Sequence, residues 1–195
     1  MKEEDRIELV MRAKIELRKR LRGLRNTTPA GALAKRSEKI VERLAAMEVV
    51  ASAERVALFW PIEARHEVDL RALDAQLRAR GAEVSYPAIE PSGEMTFRVA
   101  AVDDLVEDPL GFRAAPQSCP EPEGLDVVIV PAIALDASGN RLGYGAGFYD
   151  RALPRFAPAK KIGVAYDFQL LAEVPVLTND VTMDFVVTDV RALAV

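Results

Sequence analysis

Apolar positions change period along this chain. Ile7, Val10, Met11, Leu17, Leu21 and Leu24 recur every three or four positions, which predicts an amphipathic helix stopping near Asn26. Thr28 as N-cap and Pro29 at the first helical position predict a second helix, with Leu33, Ile40, Val41 and Leu44 on one face. The pattern then shortens. Residues 56–60, Val-Ala-Leu-Phe-Trp, form a continuous apolar run closed by Pro61, the mark of a buried strand.

Val68, Leu70, Leu73 and Leu77 predict a helix ending at Gly81, and residues 84–86 a strand stopped by Pro87. Residues 95–99 alternate weakly, as an outer strand would. The acidic, proline-punctuated stretch 103–124 reads as a surface loop. Residues 126–130, Asp-Val-Val-Ile-Val, give the clearest buried strand. A glycine-rich loop, a short helix over 148–153 and strands over 162–166 and 185–188 follow. Alternating strands and helices predict one α/β domain over residues 1–195, with a largely parallel sheet and ligands at strand carboxyl ends.

Composition narrows the classes. The 195 residues are 50% hydrophobic and 29% charged, as expected of a globular protein with a sizeable core. One cysteine, Cys119, and one histidine, His66, exclude an intramolecular disulfide and argue against structural zinc. The charged amino terminus has no apolar signal segment, and no run is long enough to span a membrane, so a cytoplasmic location is expected. Residues 1–43 carry 13 Lys/Arg against 7 Asp/Glu, whereas the rest carries 13 against 23. A basic arm on an acidic body suits RNA, or an anionic ligand over which the arm folds. RNA binders interleave aromatics with their cations, and residues 1–43 contain no Phe, Tyr or Trp.

The most informative stretch is Asn140-Arg-Leu-Gly-Tyr-Gly-Ala-Gly-Phe-Tyr-Asp150-Arg151. Alternating Gly143, Gly145 and Gly147 let backbone N–H groups turn inward toward a phosphate, and the following helix would aim its positive end at the same place. Arg141 adds a cation of phosphate-matching fork geometry, and Asp150 is placed to hold Mg²⁺. The string fits neither the Walker loop nor the dinucleotide fingerprint.

The string resembles the Arg-Leu-Gly-x-Gly-x-Gly-Tyr-Tyr-Asp signature of the 5-formyltetrahydrofolate cyclo-ligases, also called methenyltetrahydrofolate synthetases. Lys14-Ile-Glu-Leu17-Arg18 is similar to that family's amino-terminal Lys-x-x-Leu-Arg, and Ser37 sits where its second helix carries serine. Residues 59–69, containing Glu67-Val68-Asp69, resemble its folate-touching segment, and residues 174–184 its carboxy-terminal segment. Ala146, where many members carry glycine or lysine, and Phe148, in place of the usual first tyrosine, depart from the pattern and remove any lysine contact and a tyrosine hydroxyl there.

The resemblance implies a three-layer α/β/α sandwich with an amino-terminal helical pair. It also implies an enzyme that converts 5-formyltetrahydrofolate to 5,10-methenyltetrahydrofolate, with ATP as co-substrate and Mg²⁺ as cofactor. ATP then falls to Lys14, Arg18, Arg141, Leu142, Gly143, Tyr144, Gly145, Ala146, Gly147, Phe148 and Tyr149, with Arg141 and Tyr149 catalytic. Folate falls to Trp60, Glu67, Tyr144, Gly145, Ala146, Gly147 and Phe148, and the metal to Asp150 and Asp180.

Physical readings of these residues leave alternatives. Lys14 is either a snorkelling stem on an apolar stripe or, with Arg18 one turn on, a phosphate clamp. Trp60 is either core or a stacking wall, and Tyr144 and Tyr149 either pack or close over the folate ring. Partners are expected to be small molecules, with no nucleic acid or membrane, and the chain to be a monomer. An ATP-dependent enzyme for another N-acyl or carboxylate substrate, or an RNA-binding protein, are the other readings.

Overall fold

The computed structural model describes residues 2–109 and 111–195. Helix α1 (Glu3–Thr27) is followed by α2 (Ala30–Ala46), the single turn α3 (Glu48–Ala51), strand β1 (Arg55–Ala57) and α4 (Arg71–Ala79). Then come β2 (Glu83–Ile89), β3 (Met95–Val99), the small pair β4 (Val106–Glu107) and β5 (Arg113–Ala114), and β6 (Val127–Pro131). The chain continues through β7 (Ala134–Asp136), β8 (Arg141–Leu142), α5 (Phe148–Ala152), β9 (Lys160–Val164), β10 (Leu170–Leu171), β11 (Phe185–Val187) and β12 (Ala192–Ala194).

The main sheet has the order β12-β11-β9-β6-β1-β2-β3. Its inner strands are parallel, and antiparallel β12 and β3 close the two edges. Strand pleating sorts the apolar runs into two cores. Val56, Leu58, Val127 and Ile129 face α2, α3 and α4. Ala57, Val128 and Val130 face α5 and the turn that follows it. The sandwich is therefore three-layered, with a thin second outer layer.

The two amino-terminal helices part company. Helix α2 lays five buried residues, Leu33, Ser37, Ile40, Val41 and Leu44, toward the sheet. Helix α1 buries only Lys14, Leu21 and Arg25. Its Leu17 and Leu21 pack on a second small sheet, β10-β7-β8, with Ile133, Leu142 and Val174. That places the cationic face of α1 beside the loop that follows β8.

Three local expectations are corrected. Thr28 does not cap α2; its hydroxyl donates to Leu24 O at 2.8 Å and its N–H to Arg25 O at 3.2 Å, closing α1 instead. Pro87 does not stop its strand, because β1 ends at Ala57 opposite Ser85, so the side of β2 on which Pro87 lacks an N–H carries no β1 ladder bond to break. The 103–124 stretch is more than a surface loop. It contains the β4–β5 pair, buries Leu105, Ala114 and Ala115, and is tied to β2 by the Ala115 N–H to Pro87 O bond of 2.8 Å.

Candidate active site

A cavity of about 600 Å³ opens at the carboxyl ends of β1, β2 and β6, where Trp60, Pro87 and Pro131 line it. Helix α1 crosses one side with Lys14, Arg18, Arg22 and Arg25, and the glycine loop and Asp180 complete the wall.

The glycine loop is delivered by a tight turn. Asp136 Oδ1 accepts the N–H groups of Ser138 and Asn140, each at 3.0 Å, and this turn sets β8 against β7. Beyond β8 the backbone enters the left-handed region at Gly145 (φ 110°) and Gly147 (φ 68°), where a side chain would be strained. Among the described residues, the N–H groups of residues 144–147 have no hydrogen-bond partner, whereas Gly147 O accepts the Arg151 N–H and three further loop carbonyls accept arginine side chains. Arg18 Nε donates to Gly143 O at 2.8 Å, Arg22 to Tyr144 O at 3.2 Å and Arg151 to Ala146 O at 2.9 Å. A run of unpaired N–H groups in a concave loop is an anion cradle. Since α5 spans only Phe148–Ala152, the cradle rests on the loop N–H groups rather than on a helix dipole.

Arg141 is 6% exposed; its guanidinium donates to Asp150 Oδ1 at 2.9 Å, while its buried Nε finds no partner among the described residues. A buried, incompletely satisfied guanidinium facing a cavity calls for an anionic ligand. Lys14, 6% exposed, donates to Asp180 Oδ2, which also accepts the Leu177 N–H at 2.7 Å. The neighbouring Val181 N–H donates to Asp150 Oδ1 at 3.2 Å, so the two aspartates come to the same end of the cavity. Burial lowers the Arg18 pKa, and Arg22 adds to this; Asp180 opposes it, Arg141 lowers it and Asp150 raises it, so these charges form one cluster.

Asp150 Oδ2 and Asp180 Oδ1 accept no hydrogen bond from the described residues. Among those residues no three His, Cys, Asp or Glu side chains group closely enough to hold a metal alone. Mg²⁺ commonly takes one or two carboxylates and completes its shell with water and phosphate oxygens. The pair therefore fits an Mg²⁺ shared with a phosphate chain.

Also on the cavity wall, Glu67 is 8% exposed and its Oε2 accepts the Ile62 N–H at 2.9 Å. Burial raises its pKa above the usual glutamate range, against the opposing pull of the Tyr144 hydroxyl, the Ile62 N–H, Arg25 and Arg65. The segment is anchored from two sides, since the Tyr166 hydroxyl just beyond β9 donates to Glu67 O at 3.1 Å and Ser37 Oγ on α2 accepts the Asp69 N–H at 3.0 Å. Trp60 meets the Tyr86 ring edge-on at 6.2 Å, and the guanidinium groups of Arg113 and Arg71 lie 5.2 Å and 5.9 Å from its ring.

Two sequence expectations change here. Leu142 does not reach the cavity; it is buried with Leu21, Ile133 and Val174 and anchors the loop. Tyr144 is not a ring free to close over folate. Arg65, Arg22 and Arg25 lie 5.0, 5.2 and 5.8 Å from its ring, and Arg25 donates to its hydroxyl at 2.7 Å. Tyr149 lines the cavity from a packed position against Phe97, and burial raises its pKa, keeping the hydroxyl protonated. Gly143, Gly145, Ala146, Gly147 and Phe148 all line the cavity.

The sequence reading missed Arg22, Arg25, Arg65, Phe112 and Arg113. Arg22 and Arg25 continue the Lys14–Arg18 stripe at helical spacing, a legible signal. Arg65 lies in a single 3₁₀ turn and Arg113 in the 103–124 stretch, where no periodicity marks a cavity-facing position.

The model of the 5-formyltetrahydrofolate cyclo-ligase family matches residues 10–189. The 5-formyltetrahydrofolate cyclo-ligase of Escherichia coli (strain K12) is 31% identical over 159 residues, covering 77% of this chain and 86% of that protein. That of Mycolicibacterium smegmatis is 44% identical over 93 residues, 46% of this chain and 48% of that protein. The 5,10-methenyltetrahydrofolate synthetase of Aquifex aeolicus superposes with a TM-score of 0.80 at 30% identity, covering 93% of this chain and 92% of the other.

Proposed function

Because the chain belongs to the 5-formyltetrahydrofolate cyclo-ligase family, we propose that its cavity holds ATP and 5-formyltetrahydrofolate end to end. The reaction converts 5-formyltetrahydrofolate and ATP to 5,10-methenyltetrahydrofolate, ADP and phosphate. ATP is needed because the formyl oxygen leaves poorly as hydroxide. Once that oxygen has attacked the γ-phosphorus and ADP has departed, N10 attacks the formyl carbon. Phosphate then leaves with the oxygen, and the N10 proton passes to solvent.

Phosphoryl transfer needs placement and charge neutralisation more than a protein nucleophile. The observation that carries the reading is the gathering of Lys14, Arg18, Arg141 and the unpaired loop N–H groups on the wall of a cavity that Trp60 and Glu67 also line. Lys14, Arg18 and the N–H groups of residues 144–147 bind the phosphate chain. Arg141 faces the transferred phosphoryl group and is held on aim by Asp150. Tyr149 walls that end as a neutral hydroxyl. Asp150 and Asp180 hold Mg²⁺, which when bound draws charge from the phosphate oxygens. Glu67 accepts N–H groups from the pterin edge, and Trp60 flanks the ring system.

No helix among the described residues is long and apolar enough to cross a membrane. Four cations of α1, Lys14, Arg18, Arg22 and Arg25, turn toward the cavity, which supports a small anionic substrate rather than RNA. We read residues 1–195 as one domain working as a cytoplasmic monomer.

The test is direct. The chain, ATP, Mg²⁺ and 5-formyltetrahydrofolate should give the near-ultraviolet absorbance of the methenyl product with one ADP per turnover. ADP release with another N-formyl compound or carboxylate, and none with the folate, would transfer the site to a different substrate.

A further inference from the structure

We infer that Arg151, outside the cavity, is a positioning residue that sets the glycine loop for the phosphate chain. The inference rests on the assignment of that loop to ATP. Gly147 lines the cavity and Arg151 does not. Arg151 Nη1 donates to Ala146 O at 2.9 Å from the outer side of the loop. The carbonyl and N–H of a trans peptide point in opposite directions, so drawing Ala146 O toward Arg151 turns the Gly147 N–H the other way. That N–H has no partner among the described residues.

The guanidinium is itself held in place. It lies 5.5 Å from the centroid of the Phe148 ring, and a Cβ on Gly147 would come within 2.8 Å of its Nη1. Loop carbonyl, cation and aromatic face thus pack as a unit beside Gly147, whose φ of 68° favours glycine there. The contact uses the face of Phe148, so it needs no hydroxyl there, and this gives a use for a position that departs from the family's tyrosine.

The two other loop carbonyls that accept arginine side chains are held differently. Arg18 and Arg22, which hold Gly143 O and Tyr144 O, line the cavity, so an arriving phosphate competes for them. Arg151 meets no such competition, and its bond to the loop persists when the ligand binds. It acts through the direction of a peptide and not by touching ATP.

Arg151 is exposed, so its replacement leaves the core intact. The experiment compares wild type, Arg151→Met, Arg151→Lys and Lys14→Met by calorimetric binding of ATP with Mg²⁺ and no folate, and by initial rates in both substrates. Losing one charge-assisted bond that orders a binding loop should weaken ATP binding about tenfold. The folate KM and the thermal midpoint of Arg151→Met should stay close to wild type, and Arg151→Lys should recover part of the loss by donating to the same carbonyl. Wild-type ATP binding in Arg151→Met alongside impaired Lys14→Met overturns this inference and leaves the assigned ATP site standing. A rise in both KM values with a lowered midpoint also overturns it, as a general structural role. ATP binding unaffected in Lys14→Met as well would remove the ATP site assignment itself.

Discussion

Lys14 and Asp180, 166 positions apart, form an ion pair on the cavity wall, their side chains only 8% and 21% exposed. Lys14 is therefore not a stem snorkelling to solvent. Its ammonium is held beside Asp180, which also closes the turn at Leu177. The pair joins the first helix to the loop before β11 and keeps a cation in the cavity before any ligand arrives.

Replacing Lys14 or Arg18 by Met should raise the KM for ATP while leaving the folate KM nearly unchanged. Charge-assisted contacts are worth about 1.5–3 kcal/mol, which corresponds to roughly tenfold to over a hundredfold in affinity. Initial rates over an ATP titration decide it, and an unchanged ATP KM in both folded variants would return the pair to a purely structural role.

Asp150→Asn and Asp180→Asn should each fold, lose most turnover and require more Mg²⁺ to recover any. Amides keep turn and cap geometry but bind Mg²⁺ poorly. Rates measured against Mg²⁺ concentration test this, and a wild-type activation curve in either variant would free that aspartate of the metal.

Arg141→Lys keeps the charge and loses the fork that reaches Asp150 while presenting further N–H groups inward. Its effect should fall on kcat, by about a hundredfold, as for loss of one transition-state donor. Single-turnover measurements at saturating ATP give the result; a change confined to the ATP KM would make Arg141 a ground-state contact.

The raised Glu67 pKa, caused first by burial, fixes a sign. Below the ordinary glutamate value of 4.5 the side chain is protonated in both folded and unfolded chains. Above it the unfolded chain ionises first, so this group's stabilising contribution falls as pH rises through the raised value and is then constant. Folate affinity should move the opposite way, since the ionised carboxylate is the better acceptor for pterin N–H groups. Glu67→Gln should flatten both dependences, read from thermal midpoints and folate KM across pH; slopes equal to wild type would assign them to another group.

Trp60 is the chain's one tryptophan, and it lines the cavity where the folate is proposed to sit. Its fluorescence should change on titration with 5-formyltetrahydrofolate and stay nearly constant with ATP alone. A response to ATP equal to that for folate would place the nucleotide against Trp60 and reverse the proposed order of the two ligands.

The sequence by itself determined what depends on neighbours in the chain. Apolar period separates α1 and α2 from the buried runs of β1, β6 and β9, because side-chain direction repeats with backbone geometry. The alternating glycines mark a loop able to turn N–H groups inward, and the Lys14–Arg18 spacing marks one helix face. Tertiary structure decided everything that depends on which surfaces meet. Thr28 serves the helix before it because its hydroxyl finds Leu24 O, and Pro87 stays in a strand because β1 has already ended beside it. Arg65 and Arg113 reach the cavity from irregular segments, and Tyr144 is enclosed by arginines from α1 and the 63–65 turn. Such contacts are set by the crossing of α1 over the sheet's carboxyl edge, and no local propensity encodes where two distant segments cross.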